Sequence, residues 1–254
     1  MAETYDLIIR GGDVWATGGL AQTDVAVRDG KIAHVGDTGG ADAGTVGGIT
    51  AVFEMPNTNP LTTSAAALAD KISRAEGRSW TDHAFFMGAS AENADDLAEL
   101  ERVPGCCGVK MFMGSSTGNL LVPDDETVRR VLSNGTRRMS VHSEDEYRLN
   151  ERKGERVEGD PSSHPVWRDE ETAIRSTRRL LSIARETGRR VHVLHITTAD
   201  EVEILAQYKD VATCEVTPQH LTLAAPDCYE RLGSYAQMNP PIRGETHRAG
   251  LWRG

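Results

Sequence analysis

The sequence predicts an α/β protein in which a barrel of parallel strands and helices follows a small all-β piece. From residue 47 onward, strand-like and helix-like runs alternate, which is typical of a parallel sheet covered by helices. The strand-like runs are largely apolar, as expected when both faces of a sheet are buried. Polar residues stand at the carboxyl ends of several strands, where a barrel builds its active site. No glycine-rich phosphate-binding sequence follows the first strand, which weakens the alternative of an open dinucleotide-binding sheet.

The N-terminal piece is predicted from three short runs of alternating polarity, each of which closes with Gly or Asp-Gly. Such runs are typical of β-hairpins. We therefore predict that residues 1–46 form β-sandwich strands and that residues 47–254 form the barrel domain. The three runs read "YDLIIRGG", "TDVAVRDG" and "KIAHVGD".

The barrel segment predicts six strands and five helices, before a C-terminal piece that starts another unit. Asn93 is a plausible N-cap of the second helix, and Gly188 is expected to end the long fourth helix. The strands are expected in "GGITAVFEMP", "TDHAFFMGAS", "CGVKMFMG", "RRMSVHSE", "RRVHVLHITT" and "VATCEVTPQHL". The helices are expected in "TTSAAALADKISRAEG", "NADDLAELERV", "PDDETVRRVLSNG", "RDEETAIRSTRRLLSIARETG" and "ADEVEILAQYKD".

Composition excludes several classes of function. A formal net charge of -10 argues against a nucleic-acid groove, and we interpret the arginine-rich segment 175–190 as a solvated helix face with paired acids. No apolar run reaches the roughly 18 residues of a membrane span, and the N-terminus does not resemble a signal peptide. The cysteines lack Cys-x-x-Cys metal spacing, so a reducing, cytoplasmic setting is expected. They are Cys106, Cys107, Cys214 and Cys228.

Lys110, His142 and His195 form the candidate metal centre, because each lies near the carboxyl end of a different successive strand. Imidazole suits zinc, and a catalytic zinc site keeps an open position beside its protein ligands. Taken singly, each histidine is more often a hydrogen-bonded core or loop residue. His192 alternates with His195 along the strand, so we expect only His195 to point into the barrel.

Asn57 and Asn239 are candidate amide clamps for a polar substrate, because asparagine offers both a donor and an acceptor. Each is also a plausible turn residue before a proline. His164 is interpreted as an ordinary loop residue, and His220 is ambiguous.

These segments together resemble the dihydroorotases of the cyclic amidohydrolase family, over nearly the whole chain and in order. Hydantoinases and allantoinases are similar families, and "MPNTNP" with "NPPIR" favours dihydroorotase. The resemblance rests on "YDLIIRGGDVW", "GGITAVFEMPNTNP", "GVKMFMGSSTG", "VHSEDEYRLNERKG", "HVLHITTADEV", "VTPQHLTL" and "MNPPIR".

The resemblance implies a (β/α)8 TIM barrel of the metal-dependent hydrolase kind, and reversible hydrolysis of dihydroorotate to carbamoyl aspartate in pyrimidine biosynthesis. It implies two Zn2+ ions in a full site, bridged by a carboxylated lysine that matches Lys110. His142 and His195 match histidine ligands of one metal, and Asn57 and Asn239 match substrate-binding positions. A homo-oligomer, with or without aspartate transcarbamoylase, is expected.

Two parts of the family pattern are not found in the sequence. No His-x-His pair occurs anywhere, and no Asp-His strand follows "HRAGLWRG", so the general-base aspartate has no counterpart. The predicted barrel is therefore incomplete, with about six strands, and the activity of this chain is open. The alternatives are a noncatalytic structural partner of aspartate transcarbamoylase, and a hydantoinase or allantoinase.

Overall fold

The computed structural model describes residues 4–16, 19–39, 41–46, 51–79, 81–116 and 120–254. It divides into two compact units. The first comprises the chain up to residue 54 together with 70–84, and the second comprises 55–69 together with 85–254. The predicted domain boundary at residue 47 lies outside the described residues.

The first unit contains a four-stranded sheet in the order β3-β2-β1-β4. β1 and β2 pair antiparallel, as do β2 and β3, which confirms the predicted hairpins. The turn between β2 and β3 places Asp29 and Gly30 at φ 53° and 69°, the left-handed conformation that favours an Asp-Gly pair. β4 pairs parallel with β1. The strands are β1 (Thr4–Ala16), β2 (Gly19–Arg28), β3 (Lys31–Val35) and β4 (Asp42–Val46).

A second sheet has six strands in the order β10-β9-β8-β7-β6-β5. The pairs from β6 to β10 are parallel, and chain neighbours are spatial neighbours, which is the arrangement of a (β/α) barrel. The six predicted strands are therefore confirmed, although several are shorter than expected. They are β5 (Ala51–Glu54), β6 (Asp82–Gly88), β7 (Cys106–Phe112), β8 (Met139–His142), β9 (Val191–Val193) and β10 (Ala212–Cys214).

Helices fill the connections between these strands. The long helix α6 begins after Asp169, whose side chain accepts a hydrogen bond from the amide of Thr172, and it ends at Gly188 with φ 70°, as predicted. The helices are α1 (Ala65–Ala75), α2 (Leu97–Leu100), α3 (Asp125–Ser133), α4 (Glu146–Arg152), α5 (His164–Trp167), α6 (Glu170–Thr187), α7 (Ala199–Leu205), α8 (Pro218–Thr222), α9 (Asp227–Leu232) and α10 (Glu245–Arg253).

Two local predictions are wrong. The Asn93 side chain does not cap the following helix. Its Oδ1 accepts from the amide of Ser90, and its Nδ2 donates to the carbonyls of Thr63 and Gly88, so it ties the end of β6 to a neighbouring loop. The end of "VATCEVTPQHL" is also not strand, because β10 stops at Cys214 and the later residues form α8.

The main core lies between one face of the parallel sheet and the helices around it. Val109, Met111, Val141 and Val193 are fully buried in this core. Since side chains alternate along a strand, the residues between them point to the opposite face of the sheet. None of the described helices is long and apolar enough to cross a membrane.

Candidate metal centre

The strand register places the candidate residues in adjacent rows on one face of the parallel sheet. Lys110 on β7 pairs with Ser140 on β8, which in turn pairs with His192 on β9. One layer further toward the carboxyl ends, Phe112 pairs with His142. Paired residues of parallel strands point to the same side, so these side chains share the face opposite the helix-covered core.

Lys110 is a buried amine without a hydrogen-bond partner among the described residues. Its side chain is 1% exposed, and its Nζ lies 4.3 Å from the centre of the Phe112 ring. Burial lowers the pKa of Lys110 well below that of a free lysine, and Glu215 opposes the shift only in part. Burial therefore stabilises the uncharged amine relative to the ammonium ion more than water does.

His142, at the end of β8, and His195, just after β9, meet in a T-shaped arrangement. The Nδ1 of His142 lies 3.2 Å from the Nε2 of His195, and the ring centres are 5.0 Å apart. Burial lowers the pKa of both imidazoles, and His142 and Lys110 lower that of His195 further. Two imidazoles and an amine whose charged forms are all disfavoured by burial form a set of nitrogen donors that suits a transition-metal cation.

The prediction that His192 and His195 point to opposite faces assumed that both lie in one strand, and this assumption is wrong. β9 ends at Val193, and His195 has φ 39°, so the alternation of a strand does not extend to it. This left-handed conformation is unusual for a residue other than glycine and turns the ring toward His142. His192 lies one layer lower, where its Nδ1 is 2.8 Å from Oγ1 of Thr213 and its Nε2 is 3.2 Å from Oε2 of Glu215.

Glu144 is a residue of this centre that the sequence reasoning missed. Its carboxylate is fully buried, and Oε2 lies 2.9 Å from Nε2 of His142. The guanidinium of Arg168, itself 3% exposed, forms an ion pair with the same carboxylate. Burial alone would raise the pKa of Glu144, but Arg168 and His142 outweigh it and hold that pKa far below its usual range. An acid two residues after a strand-end histidine was the available signal.

The two candidate amide clamps lie in loops of the second unit. Asn57 is half-buried. Asn239 lies with its Oδ1 3.1 Å from Nε2 of His164, a histidine interpreted from sequence as an ordinary loop residue. Next to Asn239, the carbonyl of Pro240 is 3.2 Å from Nε2 of His220.

The donor set fits one metal ion only if Lys110 takes part. Among the described residues, no three His, Cys, Asp or Glu side chains are arranged to hold a metal. His142 and His195 supply two nitrogens, and Nζ of Lys110 is buried without a hydrogen-bond partner in that part of the chain. Buried polar atoms without partners are costly, and a bound cation with a modified lysine would relieve the cost.

The chain is similar to several cyclic amidohydrolases in sequence. It is 31% identical to a dihydroorotase of Methanosarcina mazei over 85% of this chain and 49% of that protein. It is 30% identical to an allantoinase of Desulfitobacterium hafniense over 98% of this chain and 66% of that protein, and 25% identical to an L-hydantoinase of Paenarthrobacter aurescens over 98% and 65%. No family model matches the chain.

Solved structures show the same fold. The L-hydantoinase of Arthrobacter aurescens superposes with a TM-score of 0.74 at 23% identity, over 98% of this chain and 66% of that one. The dihydropyrimidinase of Brevibacillus agri gives a TM-score of 0.72 at 22% identity, over 96% and 65%. The chain spans about half the length of the dihydroorotases it matches and about two thirds of the other relatives.

Proposed function

The chain belongs to the cyclic amidohydrolases of the amidohydrolase superfamily, and we propose that it carries one half of a metal-dependent site that hydrolyses the C–N bond of a cyclic amide. The observation that carries this proposal is the convergence of two neutral imidazoles beside a buried lysine that has no hydrogen-bond partner in the described residues. Three elements of the same compact unit supply these groups, at the carboxyl-end face where barrels place their catalytic residues.

Lys110 is proposed to act as a carbamate. Its neutral amine forms an N–C bond to carbon dioxide and releases one proton, which leaves a carboxylate on the nitrogen. Burial favours this reaction, because the nucleophile is the unprotonated amine. The product is an oxygen ligand of the hard type that complements the two imidazoles.

His142, His195 and the modified Lys110 would together hold a zinc ion. When bound, the ion would supply a Lewis acid that polarises the amide carbonyl of the substrate. The imidazoles direct one ring nitrogen each toward the same point, since Nδ1 of His142 and Nε2 of His195 face each other at 3.2 Å. The His-x-His pair and the general-base aspartate of the family pattern have no counterpart in this sequence, so the proposal covers one metal site only.

Dihydroorotate is the proposed substrate, and N-carbamoyl-aspartate the product, as in pyrimidine biosynthesis. Water adds to the ring carbonyl, the ring C–N bond breaks, and the nitrogen leaves with a proton. Asn57 and Asn239 are proposed to bind the polar edge of the ring. The 31% identity to a dihydroorotase and the "MPNTNP" and "NPPIR" segments support this choice.

A hydantoinase or allantoinase is the second candidate. The similarity to an allantoinase and an L-hydantoinase extends over 98% of the chain, against 85% for the dihydroorotase. All three substrates are cyclic amides or ureides that the same metal chemistry would open. A noncatalytic partnership with aspartate transcarbamoylase, and a homo-oligomer, stay predictions, and light scattering with and without that enzyme tests them.

The first experiment measures zinc per chain by elemental analysis, together with the carbamate signal after incubation with 13C-bicarbonate. We expect about one zinc and one carbamate per chain. Lys110→Ala should lose both, and bicarbonate with a short carboxylic acid should restore part of the zinc. The exposed Lys209→Ala is the matched control. Unchanged zinc content in Lys110→Ala would refute the carbamate.

Substrate choice is tested by hydrolysis of dihydroorotate, hydantoin and allantoin with the same preparation. A preference for dihydroorotate supports the first candidate. A preference for either of the others moves the chain to the second. Zinc-free protein that binds aspartate transcarbamoylase would replace both with the noncatalytic role.

A further inference from the structure

We infer that Glu144 and Arg168 act as a positioning pair for His142: the buried carboxylate keeps the imidazole proton on Nε2, so that Nδ1 faces His195 with its lone pair. This inference deepens the proposed function, and it rests on that proposal for the statement that His142 binds a metal ion. The arrangement itself rests on contacts within one unit of the chain. Neither residue is proposed as a ligand or a catalytic group.

The first step of the argument is the contact between the carboxylate and the ring. Oε2 of Glu144 lies 2.9 Å from Nε2 of His142, although the approach is bent from the ideal N–H direction. A carboxylate oxygen this close to a ring nitrogen is repelled by a lone pair and attracted by a proton. In the neutral ring, the proton therefore resides on Nε2, and Nδ1 is left as the acceptor.

The second step is the contact on the other side of the ring. Nδ1 of His142 lies 3.2 Å from Nε2 of His195. With the proton of His142 on Nε2, His195 can donate its own Nε2 proton to this lone pair. When a cation takes the place of that proton, both nitrogens face it without any rotation of His142.

The third step is the anchoring of the carboxylate. The Nε of Arg168 donates to Oε1 of Glu144 at 3.2 Å, and its Nη2 pairs with Oε2. The same Nη2 donates to the carbonyl of Ser115 at 2.7 Å, in the loop after the lysine strand β7. Arg243 in turn donates to the backbone carbonyl of Arg168. Planar, two-point contact of this kind fixes the orientation of a carboxylate better than a single charge does.

The loop after β7 also packs closely against the backbone of Glu144. A Cβ atom added at Gly114 would lie 2.5 Å from the carbonyl oxygen of Glu144 and 2.9 Å from its Cβ. Only glycine permits this approach, so the backbone that carries Glu144 is confined as well as its carboxylate. Gly114 follows the strand that carries Lys110, and Glu144 contacts His142. The position of the Lys110 strand therefore helps to set the orientation of the His142 ring through Glu144.

The test uses the full 254-residue chain and two readouts that do not depend on catalysis. The first is the 15N spectrum of the histidine side chains without metal, assigned with a His142→Gln variant, which reports which nitrogen of His142 carries the proton. The second is zinc affinity by competition with a chromophoric chelator. Glu144→Gln is the test variant, and Glu101→Gln is the matched control. Glu101 is an equally buried carboxylate, paired with Arg189 at 2.8 Å, and its hydrogen bonds within the described residues go to Thr136, Arg137 and Arg189.

We expect the wild type and Glu101→Gln to keep the proton of His142 on Nε2. Glu144→Gln should show both tautomers and bind zinc about 10- to 100-fold more weakly, the loss typical of removing a partner of a ligating histidine. A wild-type proton on Nδ1, or zinc affinity in folded Glu144→Gln within twofold of the wild type, would overturn the inference.

Two further measurements keep the test decisive. If Glu144→Gln does not fold, Gly114→Ala displaces the same carboxylate from the backbone side, and the wild-type tautomer is decided without any variant. If the wild type takes up no zinc, the proposed function fails, whereas the tautomer readout still supports or overturns the positioning role of Glu144.

Discussion

Replacing Lys110 with methionine should stabilise the apoprotein while removing its ability to bind zinc. Methionine has nearly the volume and length of lysine, so the substitution leaves no large cavity. What it removes is an amine that is 1% exposed and has no hydrogen-bond partner among the described residues. Leaving such a group unsatisfied costs about 1–3 kcal/mol. We therefore expect Lys110→Met to raise the free energy of unfolding by at least that amount at neutral pH.

The pH dependence of this difference gives a sharper signature. Burial lowers the pKa of Lys110 in the folded state, so between the folded and unfolded pKa values the unfolded chain binds more protons. Wild-type stability then rises with pH in this window, at a slope of up to about 1.4 kcal/mol per unit, until the unfolded lysine titrates near about pH 10.4. Lys110→Met lacks this slope, so its advantage over the wild type should shrink as the pH rises toward 10.

Urea denaturation followed by circular dichroism measures the difference, in carbon-dioxide-free buffer with a chelator so that no carbamate or metal contributes. The exposed Lys209→Met is the control and should change stability by less than about 0.5 kcal/mol. A destabilisation of Lys110→Met by more than about 1 kcal/mol at pH 7 would mean that the native state holds a paired ammonium ion. That result would refute the neutral buried amine on which the carbamate proposal depends.

Three other predictions concern groups outside the proposed ligands. Burial lowers the pKa of His220 to about 4, so stability should fall as the pH drops from about 6.5 to 4, by roughly 3 kcal/mol more in the wild type than in His220→Gln, as measured by urea denaturation. Gly250→Ala should lower the free energy of unfolding by about 1–3 kcal/mol, because the new Cβ would lie 2.3 Å from the Cβ of Ala199. The control Gly154→Ala places its Cβ in open space and should not lower it. Equal changes in melting temperature for the two variants would contradict this. Thr198→Ala removes the capping box of α7 and should cost about 1 kcal/mol, with an unchanged melting temperature as the contrary result.

The alternation of strands and helices could be predicted from sequence because each barrel strand carries a dense apolar signal. Val109, Met111 and Val141 are fully buried, and apolar residues at such positions are enough to predict a strand without knowing any polar contact. The neighbourhood of Lys110, His142 and His195 followed from the same pattern, since the ends of adjacent parallel strands meet at one edge. The structure adds the atoms by which two of them approach, Nδ1 and Nε2.

The failures concern side chains whose partners are distant in sequence. Asn93 has the residue type and position of a helix cap, yet its amide bonds Thr63 from a loop thirty residues earlier. Glu144 lies two residues after His142 in the sequence, but its carboxylate is held in place by Arg168, which is 24 residues further along the chain. His195 likewise has a left-handed φ because β9 ends two residues before it. The alternation of apolar and polar residues along a strand does not predict where the strand ends.

The order of strands in the parallel sheet has a consequence for how the site withstands local opening. β7, β8 and β9, which carry or precede Lys110, His142 and His195, are each paired on both sides within the sheet, whereas β10 lies at the edge of the sheet that the described residues form. Fluctuations that free an edge strand need not break the pairs that set the spacing of the three side chains. Amide hydrogen exchange should therefore be slowest at 109–112 and 139–142 and faster at 212–214. The cluster would then persist through partial unfolding events that expose the margin of the sheet.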